Sequence, residues 1–292
     1  MHPEIEQLGR LLQSQYARHR GAVAFLDESY RDDKTSGEFP FYTITATVLD
    51  VADLDGLRRK YLRIAGSNWW HTTEMFERGH FGQIRDFIAL ISEHKNKTLI
   101  SIQIAIDSGD LELARRECLL QTASSLENMG CMFLIYERRE DRSARNSDDS
   151  LFSKAKSHGL ISRNFRTFAG HPRAEPLLWG PDLVGWAMRR HIALNDSKWI
   201  RPMASNIEIV SVAGIVPLKK KEPKPAAAKG SGSDSTVGPE GEESDRSSIE
   251  SIARFADLNQ AIFRNFESVS QPTQNPDVLC KWLKDQFPER RK

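Results

Sequence analysis

Ala22-Val23-Ala24-Phe25-Leu26-Asp27-Glu28-Ser29 is the stretch on which the fold turns. Five consecutive apolar residues predict a short strand buried on both faces, and Asp27-Glu28-Ser29 marks its end. Upstream, Ile5, Leu8, Leu11, Leu12 and Tyr16 recur at helical spacing between Pro3 and Gly21, which predicts an amphipathic helix over 3–20. Downstream, Phe41 to Leu49 is rich in β-branched and aromatic residues and reads as a second strand, hairpin-paired with the first. Helical patterns follow at about 52–65 and 80–95, separated by Asn68-Trp69-Trp70-His71-Thr72-Thr73-Glu74.

Leu99 to Ile106 alternates as a strand, 110–129 reads as a helix, and Cys131 to Tyr136 is another buried run, ending in Glu137. Further on, 148–158 and 177–195 read as helices, Asn164 to Phe168 as a short strand and Ile207 to Val216 as a late one. An opening hairpin followed by alternating strands and helices predicts an α/β fold with a mixed sheet of about five strands.

The 292 residues suit one main core. We divide them into an N-terminal helix (1–20), a core domain (21–218), a disordered linker (219–248) and a C-terminal helical segment (249–292). The linker has almost no large apolar side chain to offset the entropy of ordering. Phe255, Leu258, Ile262 and Phe266 form one stripe, which predicts a helix that docks on the core or on a protein partner. Three widely spaced cysteines give neither a disulfide framework nor a zinc knuckle. With acidic residues at the start and no long apolar run, a cytoplasmic location away from membranes is the expectation.

A formal net charge of +1 excludes a histone-like polyanion binder, so nucleic acid must be met by a local basic patch. There is no GxGxxG after a strand, no GxxxxGK[ST], no GxSxG and no HExxH, so dinucleotide, P-loop, α/β-hydrolase and zincin chemistry lack their signals. Carboxylates at strand ends remain: Asp27, Glu28 and Glu137, with Glu74 beside His71 and Asp182 opening a helix. Strand ends are where α/β sheets build sites. Hard oxygens that converge there repel one another unless divalent cations neutralise them, and Mg²⁺ or Mn²⁺ suits oxygen ligands without thiolates. Other readings stand beside this one: Asp182 complements a helix dipole, and Glu137 opens a salt-bridged run with Arg138 and Arg139. Arg138, Arg139, Arg142 and Arg166 either position substrate phosphates or neutralise nearby acids.

Phe25-Leu26-Asp27-Glu28-Ser29, the strand Phe41 to Leu49, the His71-Thr72-Thr73-Glu74 stretch and Leu177 to Ala187 with its Pro181-Asp182-Leu183 resemble the domain-of-unknown-function family 3800. The likeness covers about residues 21–195. Tyr30 and Glu137 stand where that family often has Gly and Asp. The resemblance implies a ribonuclease-H-like fold and a divalent-metal nuclease acting on nucleic acid. It points to Asp27, Glu28 and Asp182 first and then to His71 and Glu74; together with the chemistry of the strand-end carboxylates this gives Asp27, Glu28, Glu137 and Asp182 as expected metal ligands, with Glu74 or His71 orienting or deprotonating the water. The alternative is a catalytically inactive binding or scaffold protein on the same core.

Overall fold

The computed structural model describes residues 2–31, 41–94, 97–104, 111–194 and 196–211. The expected linker and C-terminal helical segment, and Cys280 with them, lie outside the described residues. The helices are α1 (Pro3–Tyr16), α2 (Leu54–Ala65), α3 (Thr72–Glu77), α4 (Phe81–Glu93), α5 (Leu111–Asn128), α6 (Arg142–Ser157) and α7 (Trp179–Leu194). The strands are β1 (Ala22–Arg31), β2 (Phe41–Asp50), β3 (Thr98–Ile104), β4 (Phe133–Glu137), β5 (Arg166–Gly170) and β6 (Ile207–Ser211). They form one mixed sheet in the order β5-β4-β1-β2-β3-β6. The fold is α/β as expected, with six strands among the described residues where about five are predicted. The sixth is the late strand, described over Ile207–Ser211, with the rest of its expected span outside the described residues; it pairs parallel with β3 at the sheet edge.

Side-chain alternation along β1 divides the core. Val23 and Phe25 point to the layer made by α1, α2, α4 and α7, whereas Ala24 and Leu26 point to the layer of α5 and α6. Both faces are therefore apolar, which is why the run reads as continuous rather than alternating.

β1 does not end at Leu26 as the sequence suggests. It continues through Asp27, Glu28 and Ser29 to Arg31, because β2 pairs with it antiparallel along the whole length, Ala22 opposite Asp50 and Arg31 opposite Phe41. Its other edge behaves differently. The parallel ladder to β4 spans only Ala24 to Leu26 opposite Leu134 to Tyr136. Past that point β1 follows β2 alone, while β4 ends at Glu137 against Gly170 of β5. The two strands part at Asp27 and Glu137, and a cleft opens at the carboxyl ends of parallel strands, the general location of ligand sites in such sheets.

α7 lies close over this point because two of its residues have no side chain. A Cβ on Gly185 would stand 3.3 Å from Thr45 Oγ1 and 3.8 Å from Ser29 Cβ. One on Gly180 would stand 2.8 Å from the Tyr61 hydroxyl. Tyr61 is buried with its ring edge-on to Phe87, centroids 4.4 Å apart, so it has little room to move. Gly180→Ala is expected to cost about 1–3 kcal/mol, the range for overpacking a tight core. Urea unfolding at equilibrium measures it, and an unchanged midpoint would show that Tyr61 yields freely.

Candidate active site

A cleft of about 510 Å³ lies where β1 and β4 part. Its lining includes Asp27, Ser29, His71, Glu137, Asp182 and Arg189. Asp27 comes from the second half of β1, Glu137 from the last position of β4, and Asp182 from the first turn of α7. Three elements thus deliver three carboxylates to one space.

Asp182 is held most firmly. Its Oδ2 accepts from the Thr72 backbone N–H at 2.9 Å and from Thr72 Oγ1 at 2.7 Å, and Trp70 Nε1 donates to that same hydroxyl at 2.8 Å. The buried Trp70 and Thr72 therefore fix the carboxylate's rotamer from one side through Oδ2. Thr72 opens α3, so the segment from Asn68 to Glu74 is the wall that orients Asp182.

Among the described residues no side-chain cation forms an ion pair with Asp27. Its pKa is well above the usual carboxylate range, first because the carboxyl is desolvated, then because Asp182 and Glu137 face it; the Glu28 backbone N–H works in the opposite direction. Asp182 is raised by desolvation, which its Thr72 bonds and the nearby His71 ease. Glu137 is pushed up to about 7 by desolvation, then by repulsion from Asp182 and Glu28, with His71 partly compensating. Its residue is exposed overall, so solvent screens part of this repulsion. The three carboxylates repel one another as a group.

Among the other residues expected from sequence, His71 is brought to the site and Glu74 is not. His71 caps α3 at the cleft, half-exposed, while Glu74 turns outward toward Arg78 at 3.5 Å, its Oε1 3.9 Å from His71 Nδ1. Glu28 neighbours Asp27 in sequence but points to the opposite face of the strand. There Arg115 Nε and Nη2 donate to it at 2.7–3.0 Å, and the Tyr42 hydroxyl donates as well. Arg115 also joins Glu28 to the buried Asp148, at 2.5 Å. This carboxylate borders the cleft with its charge already matched.

None of the four expected phosphate-binding arginines lines the cleft, and three of them have partners elsewhere. Arg138 donates to Glu4 at 2.8 Å. Arg139 holds Asp148, Glu112 and the Ala144 carbonyl. Arg166 lies 4.5 Å over the Phe133 ring and donates to Gln15. Arg142 opens α6 on an exposed face outside the cleft lining. Sequence reading missed Arg189, Thr72 and Trp186. Asp182, Trp186 and Arg189 stand at i, i+4 and i+7, a stripe visible in the sequence once 179–194 is read as a helix. Trp70 and Trp179 are buried core residues that also border the cleft, and Trp69 lines it with Arg173 at 4.9 Å over its ring.

Among the described residues no three His, Cys, Asp or Glu side chains form a group ready to hold a metal ion. No helix among them is long and apolar enough to cross a membrane. Comparison with protein-family models, curated proteins and solved structures finds no match to the chain.

Proposed function

We propose that this protein is a divalent-metal-dependent phosphodiesterase acting on nucleic acid, built on a ribonuclease-H-like core related to domain-of-unknown-function family 3800. One observation carries the reading: Asp27, Glu137 and Asp182 crowd a single cleft with raised pKa values and with no Lys or Arg ion pair among the described residues. Elsewhere in this protein buried acids are matched by arginines, as Asp148 and Glu175 are. Leaving three acids unmatched costs stability, and a cation is the partner that would recover it. The fold reading is supported by the central place of β1 between β2 and β4, with the carboxylates on β1, β4 and the last core helix.

The donor set fits Mg²⁺ or Mn²⁺. Mg²⁺ binds through one or two carboxylates, keeps several waters and takes further oxygens from substrate phosphate, so a complete three-ligand cage is not required. Asp27 and Asp182 would hold the ion, with Glu137 beside them and Glu28 in reserve behind Arg115. When bound, such an ion polarises a phosphoryl oxygen and lowers the pKa of water. The chain's own residues do the rest. Thr72 keeps Asp182 oriented, and the half-exposed His71 is placed to accept a proton from water, steadied by Glu74.

Mn²⁺ titration by calorimetry tests this on the wild type and on Asp27→Ala/Asp182→Ala. Binding at micromolar to millimolar strength that disappears in the double variant is expected, followed by metal-dependent cleavage of nucleic acid. Wild-type cleavage that is indifferent to both chelator and Asp27→Ala would overturn the reading. No metal uptake with or without nucleic acid would instead favour a binding protein.

A further inference from the structure

Resting on the phosphodiesterase reading, we propose that Thr45 is a positioning residue of the metal site. Its hydroxyl is held in reserve beneath α7 and donates to the Asp27 carboxylate when that carboxylate takes up a cation.

Thr45 is paired on both sides, with Asp27 of β1 opposite it in one ladder and Ile100 of β3 in the other. Directly opposed side chains share a face, with Cβ atoms about 4.5–5.5 Å apart, within reach of a hydroxyl and a carboxyl. Asp27 follows Val23 and Phe25 at the two-residue period, so the shared face is the one that α7 covers. Asp27 is therefore the one polar side chain directly opposite Thr45. The residue is only 1% exposed, and its Oγ1 has no hydrogen-bond partner among the described residues. Burying a donor in this state is costly, so its presence needs a physical reason.

The neighbouring threonines of β2 show that strand packing alone does not supply that reason. Thr43, on the same face, returns its hydroxyl to the backbone and donates at 2.9 Å to the carbonyl of Ser29, the residue opposite it. Thr45 stands in the same relation to Asp27 and makes no such bond. Its Oγ1 lies against α7 instead, 3.3 Å from where a Cβ on Gly185 would sit. Gly185 is one helical turn beyond Asp182, so this hydroxyl stands between the strand that carries Asp27 and the turn that carries Asp182. Thr47 also has a buried, unpartnered hydroxyl, but Thr98 is opposite it with another, and such a pair can satisfy itself across the ladder. Thr45 has Asp27 alone.

The two aspartates then become equivalent. Carboxylates that ligate metals are themselves hydrogen-bonded, and losing such a partner typically costs 10–100-fold in affinity. Asp182 already has the Thr72 hydroxyl at 2.7 Å. Thr45 is the corresponding donor for Asp27, and a rotation between staggered wells about its Cα–Cβ bond is the movement required.

The test is Mn²⁺ titration by calorimetry, with melting curves in EDTA, on the full chain as wild type, Thr45→Val, Thr45→Ser and Thr47→Val. Thr45→Val is expected to melt no lower than wild type in EDTA, because the hydroxyl it loses is unpartnered there, and to bind Mn²⁺ about tenfold more weakly. Thr45→Ser keeps the hydroxyl and should retain most of the affinity. Thr47→Val removes a similar hydroxyl that does not face Asp27 and should leave the affinity unchanged. Where Thr45→Val does not fold, Thr45→Ala against Thr47→Ala makes the same comparison of affinities. Wild-type affinity in Thr45→Val, or an equal loss in Thr45→Ser or Thr47→Val, would overturn the positioning role and leave the metal site standing. A lower melting temperature of Thr45→Val in EDTA would show that the hydroxyl is already bonded without metal, and would overturn its reserve role. No Mn²⁺ uptake by the wild type, with or without nucleic acid, would overturn the metal reading and this role with it.

Discussion

Arg58→Met is expected to destabilise the protein by about 3–5 kcal/mol, the range for breaking a buried ion pair from one side. Glu175 has no exposed side-chain surface and Arg58 only 12%. Arg58 reaches the carboxylate through Nε at 2.8 Å and Nη2 at 2.7 Å, a two-pronged contact. The Tyr16 hydroxyl donates at 2.7 Å and the Leu177 backbone N–H at 3.2 Å. The guanidinium also lies 4.8 Å over the Tyr16 ring. One carboxylate thus ties α1, α2 and the 3-10 turn Pro176–Leu178 that leads into α7. Without Arg58, it stays buried with two neutral donors, too few to replace the solvation it has lost.

Urea unfolding of Arg58→Met checks the magnitude, and a fall in melting temperature of about 6–20 °C corresponds to it for a domain of this size. Arg58→Met/Glu175→Leu should recover much of the loss, because no charge is then left buried. A single-variant loss below about 1 kcal/mol would class the pair with exposed ion pairs, which contribute little. The link to function is positional. α7 carries Asp182 and Arg189, and its entry is anchored by this carboxylate, so the single variant should lose Mn²⁺ affinity even at temperatures where it remains folded.

The contrast between Glu175 and Asp27 shows what a sequence discloses. Neighbours in the chain are legible: the apolar run of β1, the β-branched β2, the helices α2, α4, α5 and α7, and the carboxylates that follow buried runs. Partners across the fold are not. Arg138 looks like a phosphate ligand beside Glu137, yet it pairs with Glu4, 134 residues away. Asp182 looks like a helix-dipole residue, yet Thr72, 110 residues away, sets its orientation. Asp27 and Glu28 read as a pair of ligands because the apolar run stops just before them. Pairing with β2 carries the strand onward, and the two-residue period then sends the carboxylates to opposite layers. The stripe Asp182, Trp186 and Arg189 is the one missed feature that helical periodicity alone could have revealed.

Mn²⁺ affinity is expected to rise about 10- to 100-fold between pH 5.5 and pH 7.5, with protons released on binding. The sign follows from the raised carboxylates. Glu137, pushed up to about 7 from an ordinary 4.5, and Asp27 and Asp182, raised in the same direction, hold protons in the folded cleft that the unfolded chain has already lost. The stabilising contribution of such groups is fully present below their unfolded pKa values and is lost as pH rises through the folded ones. The metal-free protein therefore loses stability from Glu137 between about pH 4.5 and pH 7, and from Asp27 and Asp182 as pH rises through their own raised values, while a cation must displace the same protons and gains affinity as they leave. Melting curves of wild type and Asp27→Asn across this range separate the two effects. The variant should melt higher than wild type at pH 7.5 without metal, by about 0.5–2 kcal/mol, the gain typical of relieving one unfavourable site. Its melting temperature should then ignore added Mn²⁺, which should raise that of the wild type. Calorimetry in buffers of different ionisation enthalpy counts the released protons. An affinity flat with pH and no proton release would mean that Asp27, Glu137 and Asp182 do not share a bound cation, and a lower melting point for Asp27→Asn would mean that the isolated carboxyl supports the fold rather than strains it.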